Sequence, residues 1–552
     1  MKKRVFTTLT LLVSVFMLLA GCVPSKNQSS ESTSSDESDP NGPVEVTIFT
    51  PKLSNTNDYS ENEFTKMVEE KFNMKIKWEY ATQDAAKEKR QLSLASGDYP
   101  DAYLLVTWID NISKVEAQKY GKEGVYLPLN DLIKDHAPNI QKAMKDIPYL
   151  EKGMTALDGN IYGLPLVGEC YHCSKYGKMW INTEWLQNLK LEMPTTSEEF
   201  KQVLQAFKND DPNGNGKKDE IPLSGESTMV GDNPIQFLMG AFIPNNGSNY
   251  INVNDGKLSL GAMQPEWKEG LKYVQSLYEE GLIDQGTFTQ NAEALKQLGT
   301  PDGEAKLGAF SAGHSAIGVD LNSEHSKHYD VVPPIKGPDG AQFTSSDYGS
   351  VNNFAFGITD KAKGKKAEVL MKLANYLYSE EGTLAMTYGK ENVHWKKGGP
   401  EDIDLNGKQA KYVPIPQDPN MKEEDKVHYG WGEKGPILQT RAFRDSIGTS
   451  TDEWSPEGYE RRLFNATKKY DGFEPKEQFN AKAAWVAPED AEEVALLQIN
   501  INKYIEENMV QFATGSKNID KEWNNYIDGF KNLQVDRYLE IYNNAYDFEK
   551  NK

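Results

Sequence analysis

Apolar and polar residues alternate along Val44-Glu-Val-Thr-Ile-Phe-Thr, a period of two that predicts a strand with one buried face. From Asn62 to Phe72 the period changes, with Phe64, Met67, Val68 and Phe72 on one helical face. Lys75-Ile-Lys-Trp-Glu-Tyr alternates again, a helix follows through Ala85–Ala95 to Gly97, and Asp98-Tyr-Pro-Asp-Ala-Tyr-Leu-Leu-Val leads into a third strand. Strand, helix, strand, helix, strand predicts a mainly parallel sheet wrapped by helices. Ligands of such sheets bind beyond the strand ends, where Trp108 and Asp110 fall.

Further along, Pro194–Leu204 reads as a helix capped by Thr195, Thr196 or Ser197, and Trp267–Tyr278 as an amphipathic helix ending at Gly281. Met179-Trp-Ile-Asn reads as a buried strand entering a helix, so Trp180 and Trp185 are assigned to packing. Leu307-Gly-Ala-Phe-Ser predicts a buried strand feeding a glycine-bordered loop. Tyr329–Ile335, Ser350–Thr359 and a helix over Lys365–Tyr378 follow, with long helices near Glu489–Phe512 and Ile519–Tyr546 at the end.

The stretch Asp210–Ser224 is organised differently. Oxygen donors recur at alternate positions: Asp211, Asn213, Asn215, the carbonyl of Lys217, then Asp219, with Glu220 directly after. A calcium ion takes about six to eight such oxygens. The first half matches the opening of an EF-hand loop, but Pro222 stands where that motif carries its bidentate glutamate. The expectation is a structural Ca2+ loop over 211–220, between a helix and a strand.

At the start, Lys2, Lys3 and Arg4 precede an apolar run from Val5 to Ala20 that meets Leu19-Ala20-Gly21-Cys22. This is a secretory leader, residues 1–21, with a lipoprotein cleavage box, and the Cys22 thiol is the expected lipidation point. Residues 22–43 are rich in Ser, Asp, Glu and Pro and are expected to be a flexible stalk. The folded part is placed outside the cell, held to the membrane by Cys22.

With 552 residues at 38% hydrophobic content, the chain supports at least two sizeable cores, and a formal net charge of −21 repels nucleic acid. Besides Cys22 there are only Cys170 and Cys173, flanking Tyr171 and His172. A local disulfide, free thiols, a zinc site lacking its fourth ligand and a redox pair all remain open.

The run from Ser96-Gly97-Asp98-Tyr99-Pro100-Asp101 through Leu127-Pro-Leu-Asn-Asp-Leu-Ile to Leu157-Asp-Gly-Asn-Ile-Tyr-Gly-Leu-Pro resembles the family 1 extracellular solute-binding proteins of ABC importers. Lys178-Met-Trp-Ile-Asn-Thr-Glu-Trp-Leu, Met193-Pro-Thr-Thr-Ser-Glu-Glu-Phe and the Asp211 loop are similar to the LplA-like and alginate-binding-protein-like lipoproteins of Gram-positive bacteria. The resemblance runs from about Val44 onward. It implies a two-lobed α/β fold, each lobe a mainly parallel sheet flanked by helices, joined by a multi-strand hinge. It also implies an oligosaccharide ligand, a partner ABC permease, a monomer and no enzymatic activity.

On that basis the N-terminal lobe is expected at 44–165 and 345–389, and the C-terminal lobe at 166–344 and 390–552. The chain crosses near Tyr162–Gly168, Gln342–Ser350 and Gly389. Aromatic rings in loops suit the C–H faces of sugars, which makes Trp108, Tyr162, Phe310, Trp395, Trp431 and Trp454 candidates for the cleft. Asp110, His172 and Arg441 are the candidate hydroxyl partners. No concentrated basic cluster stands out for a polyuronate. The rival readings are a secreted, lipid-anchored glycan hydrolase or lyase, and a surface adhesin that needs no interlobe crossings.

Overall fold

The computed structural model describes residues 42–53, 58–227, 229–245, 247, 249–346, 349–416, 430–432 and 434–551. Cys22, the leader and nearly all of the stalk lie outside them. Among the described residues no helix is long and apolar enough to cross a membrane.

The first sheet has four strands in the order Phe356–Ile358, Ala102–Leu104, Val44–Lys52, Met74–Thr82. Val44–Lys52 is parallel to both of its neighbours, and Phe356–Ile358 closes the edge antiparallel. The linking helices are built as their sequence dictates. Asn62 caps Glu63–Phe72 by accepting from the Phe64 and Thr65 N–H groups, and Asn73 ends it at φ +48°.

The second sheet runs Tyr329–Val332, Met179–Asn182, Leu307–Ser311, Ile221–Ser224. Here only Leu307–Ser311 and Ile221–Ser224 pair in parallel, and the other two pairings are antiparallel. The mainly parallel arrangement therefore holds for the first lobe alone. Met179–Asn182 enters from the interlobe crossing instead of through a covering helix, so it runs against its neighbours.

Each sheet sits in its own core, which makes the molecule two-lobed. The first core draws on residues between Val46 and Val167 and between Val351 and Met386, with Trp431, Ile437 and Trp485 added; the second draws on Met179–Ile335 and Leu463–Ala545. The chain passes between cores after Val167 and again after Ile335. The third crossing, expected near Gly389, comes after Ile437.

The reason for that shift lies in packing. The hairpin Trp395–Lys397/Tyr412–Pro414 stays with the first lobe because Trp395 packs with Leu384 and Phe443, and Lys411 pairs with Glu380 at 2.9 Å. Near the C-terminus the single predicted helix is two, Ile519–Asn532 and Val535–Asn551, broken where Gln534 takes φ +55°.

Candidate functional site

Two adjoining cavities, about 590 and about 480 Å³, share Cys173 and Asn352 and lie where the chain crosses between the lobes. The smaller is walled by the first crossing, Pro165–Tyr171, by Gly349–Asn353 and by Arg441. The larger opens onto the second lobe, where His172, Tyr176, Asp232, His314, Phe479 and Asn480 line it. This pairing of a crossing with a cavity is where a ligand would be held between lobes.

The smaller cavity is rigidly braced. Tyr149 donates to Glu169 Oε1 at 2.8 Å, the Arg441 N–H donates to Glu169 Oε2 at 2.8 Å, and the Arg441 guanidinium lies 3.8 Å above the Tyr171 ring. Tyr171 in turn donates to Asp471 at 2.5 Å. First lobe, crossing and second lobe are thereby linked through one polar chain.

In the larger cavity, burial pushes the Asp232 carboxyl up to about 6, with Glu226 adding to the rise, although the Gly313 N–H donates to it at 2.8 Å. Burial also holds the His314 imidazole below its usual range, helped by His172 and Lys178. Lys178 is buried behind this wall, donating to the carbonyls of His172, Lys175 and Gly313, and desolvation brings it down to about 7. The lining mixes amides and aromatic faces, among them Tyr176, Phe479, Asn245 and Asn252.

Of the residues singled out from the sequence, His172 and Arg441 line these cavities. Trp108 is 64% exposed and follows Thr107, which lines the smaller one. Trp454 is 45% exposed but stands beneath the Arg462 guanidinium, 4.4 Å from its ring, and lines neither. The other five are structural. Asp110 is fully buried against Arg90, which donates to it at 2.7 and 2.9 Å. Tyr162 packs in the first core and donates to Asp158 at 2.7 Å. Phe310 lies within a central strand against Tyr329.

Trp395 donates to the Gly389 carbonyl and packs edge-on to Tyr412. Trp431, 1% exposed, donates to Thr65 Oγ1 between Phe64 and Trp78. Their loops are irregular in backbone, but the rings turn inward because each buries a large apolar face and still finds an acceptor for its N–H. The larger cavity is also lined by Tyr176, Asp232, His314, Phe479 and Asn480, which the sequence reading did not single out. Only the glycine-bordered loop after Leu307–Ser311, which carries His314, gave a signal.

The Asp211 loop follows the capped helix Ser197–Asn209 and precedes Ile221–Ser224. Asp211 itself takes φ +50°, with Gly214 at +69° and Gly216 at +73°, so the chain coils around one point. The side chains of Asp211, Asn213 and Asn215 accept from the N–H groups of Gly216, Asn215 and Lys217 at 2.8–3.0 Å. Asp219 accepts from Asn215 and pairs with Lys306 at 3.3 Å. Two buried oxygens, Asp211 Oδ1 and Glu220 Oε1, have no hydrogen-bond partner, and Glu220 is raised by burial and then by the Asp211 and Asp219 charges. Unpartnered carboxylate oxygens beside further oxygen donors are the chemistry a hard cation requires.

Cys170 and Cys173 form a disulfide with Cα atoms 5.2 Å apart, at the meeting of the two cavities. His172 between them is held through Nδ1 by Glu460 at 2.8 Å.

Known proteins share this architecture. The chain is 29% identical over 507 residues to the fructooligosaccharide ABC transporter substrate-binding protein FusA of Streptococcus pneumoniae, an alignment covering 90% of this chain and 88% of FusA. A solved structure of a FusA EF-hand mutant in complex with fructo-nystose superposes with a TM-score of 0.70 at 27% identity, covering 92% of this chain and all of that one. A solute-binding protein of Bifidobacterium longum infantis, described as binding HMO, shares the fold with a TM-score of 0.76 at 23% identity, covering 92% of this chain and 99% of its own. The family model for bacterial extracellular solute-binding proteins matches residues 57–384, and the chain belongs to that family.

Proposed function

We propose that this chain is the lipid-anchored, extracellular binding component of an ABC importer, and that it captures a neutral oligosaccharide between its lobes for delivery to a membrane permease. The observation that carries the reading is the pair of joined cavities at the lobe crossings, with amide and aromatic walls. A polyanion would require a basic wall, whereas a neutral sugar uses hydroxyl partners and flat apolar faces. The likeness to FusA, a fructooligosaccharide-binding protein, supports the same cargo class.

His172 and Arg441, which line the cavities, act as polar partners of the cargo. Tyr176, His314, Asp232 and Asn480, with one side of the core residue Phe479, complete the lining on the second lobe. The lobes move about the crossings after Val167, Ile335 and Ile437. Asp211, Asn213, Asn215, the Lys217 carbonyl, Asp219 and Glu220 hold a structural Ca2+, and the FusA EF-hand supports this. The chain acts as a monomer and carries its lipid on Cys22.

The test is thermal unfolding against a panel of neutral, acidic and acetylated oligosaccharides. A cargo that binds only the folded state raises Tm by mass action. A shift with neutral oligosaccharides supports the reading. A shift only with polyuronates, peptides or other solutes overturns the cargo class.

A further inference from the structure

The Cys170–Ser174 turn has a geometry that a plain disulfide loop does not need. His172 Nε2 lies 3.6 Å from Cys170 Sγ, while its Nδ1 is taken by the Glu460 carboxylate at 2.8 Å. Among the described residues this is the one group of three or more His, Cys, Asp or Glu side chains whose ligand atoms all lie within 4.8 Å of one another, two of them being the bonded sulfurs of the disulfide. Metal-bound histidines commonly present one nitrogen to the ion and give the other to a carboxylate, as His172 does here. Bond lengths of about 2.3 Å to sulfur and about 2.05 Å to nitrogen put a tetrahedral sulfur–nitrogen ligand pair roughly 3.6 Å apart, the separation that Cys170 Sγ and His172 Nε2 already have, whereas the two sulfurs are bonded to each other and must part on reduction. The Cys173 N–H also lies 3.3 Å from Cys170 Sγ, to which it donates.

We propose that this turn is a redox-gated metal site. As the disulfide it is part of the cleft wall; as the dithiol it takes one Zn2+-type ion through Cys170 Sγ, Cys173 Sγ and His172 Nε2, with Glu460 orienting the ring. The fourth position faces the cavity that Cys173 and His172 both line. The gating reductant is an external dithiol. Its two S–H bonds are replaced by one S–S bond, the Cys170–Cys173 bond accepts the two electrons, and each sulfur takes up one proton. Metal binding then releases those two protons to water. Access is open, since Cys173 is exposed and Cys170 and His172 are half-buried.

The experiment titrates Co2+ into the full chain, oxidised and then reduced under anaerobic conditions, with excess Ca2+ to occupy the Asp211 loop. The reduced chain is expected to show a thiolate-to-cobalt charge-transfer band and tetrahedral d–d absorption at one ion per chain, displaced by Zn2+; the oxidised chain shows neither. C173S abolishes the bands. Glu460→Gln weakens Co2+ binding by about 10–100-fold with the band positions kept, which a purely structural role for Glu460 would not produce. Circular dichroism confirms that each variant is folded, and the double variant C170S/C173S, which keeps Cys22, sets the background. A reduced chain with two more free thiols than the oxidised one and no charge-transfer band overturns the proposal, as does a band that survives unchanged in His172→Ala.

Discussion

Asp110 and Arg90 form a fully buried pair in which Arg90 Nε and Nη2 donate to the two carboxylate oxygens at 2.7 and 2.9 Å. Arg90 Nη2 also reaches the Asn111 carbonyl and Glu116, tying the helix Ala86–Ser96 to the loop behind the third strand. Removing one partner strands the other charge in the interior. Asp110→Ala is therefore expected to destabilise the protein by about 3–5 kcal/mol in urea unfolding. Cargo affinity of the remaining folded protein stays within twofold in calorimetry; a large affinity loss without destabilisation would return Asp110 to the binding site.

Trp431 and Trp454 make a contrasting pair. Trp431 is enclosed by Phe64, Trp78 and Thr65, so Trp431→Ala is expected to cost about 3–5 kcal/mol. Trp454 is half in solvent beneath Arg462, and Trp454→Ala should cost less than about 1 kcal/mol. Denaturant midpoints of the two variants, measured side by side, decide the matter.

Glu220 Oε1 and Asp211 Oδ1 are buried acceptors without donors. With the loop holding calcium as proposed, calcium at 100 times its Kd is expected to raise stability by about 2.7 kcal/mol, and chelator to remove that gain. Asp211→Ala is expected to abolish the Tm difference between calcium and chelator. A full difference in that variant would rule out the loop as its source.

Asp232 gives a pH signature. Its folded-state value, raised to about 6, lies above the ordinary 3.8, so the folded state holds the proton more tightly. This group's contribution is complete below about 3.8 and is lost as pH rises through 6, amounting to on the order of 1–3 kcal/mol. Urea unfolding of wild type and Asp232→Asn between those values checks the sign: the difference in stability must grow with rising pH in favour of the variant.

Tyr176→Ala, and Phe479→Ala in the protein that remains folded, are each expected to weaken oligosaccharide binding about tenfold, ~1.4 kcal/mol, through loss of an aromatic face on the larger cavity, while Phe479→Ala also destabilises the second core, to which Phe479 belongs. Unchanged affinity in both variants would move the sugar site elsewhere in the cleft.

Local patterns carried much of the molecule. The alternation at Val44–Lys52 and Met74–Thr82 foretold paired parallel strands, and Thr196 caps its helix within the predicted window. The donors at Asp211, Asn213 and Asn215 are brought round one point by the backbone their own sequence demands. Such features depend on a few neighbouring residues, whose propensities and hydrogen bonds are readable in order along the chain.

Which rings face the cleft was not readable in that way. Trp395 and Trp431 sit in loops like those of sugar-binding aromatics, yet their surroundings come from Leu384, Phe443, Phe64 and Trp78, some of them hundreds of positions away. The pairing of His172 with Glu460, and the convergence of Asp232, His314 and Phe479 on one cavity, likewise join segments that share no sequence period. The sequence by itself determined the strand and helix periods, the caps, the oxygen-donor spacing and the family. Tertiary structure decided the direction of the second sheet, the last crossing and the lining of the cleft, because burial is a property of what packs against a side chain and not of the residues beside it in the chain.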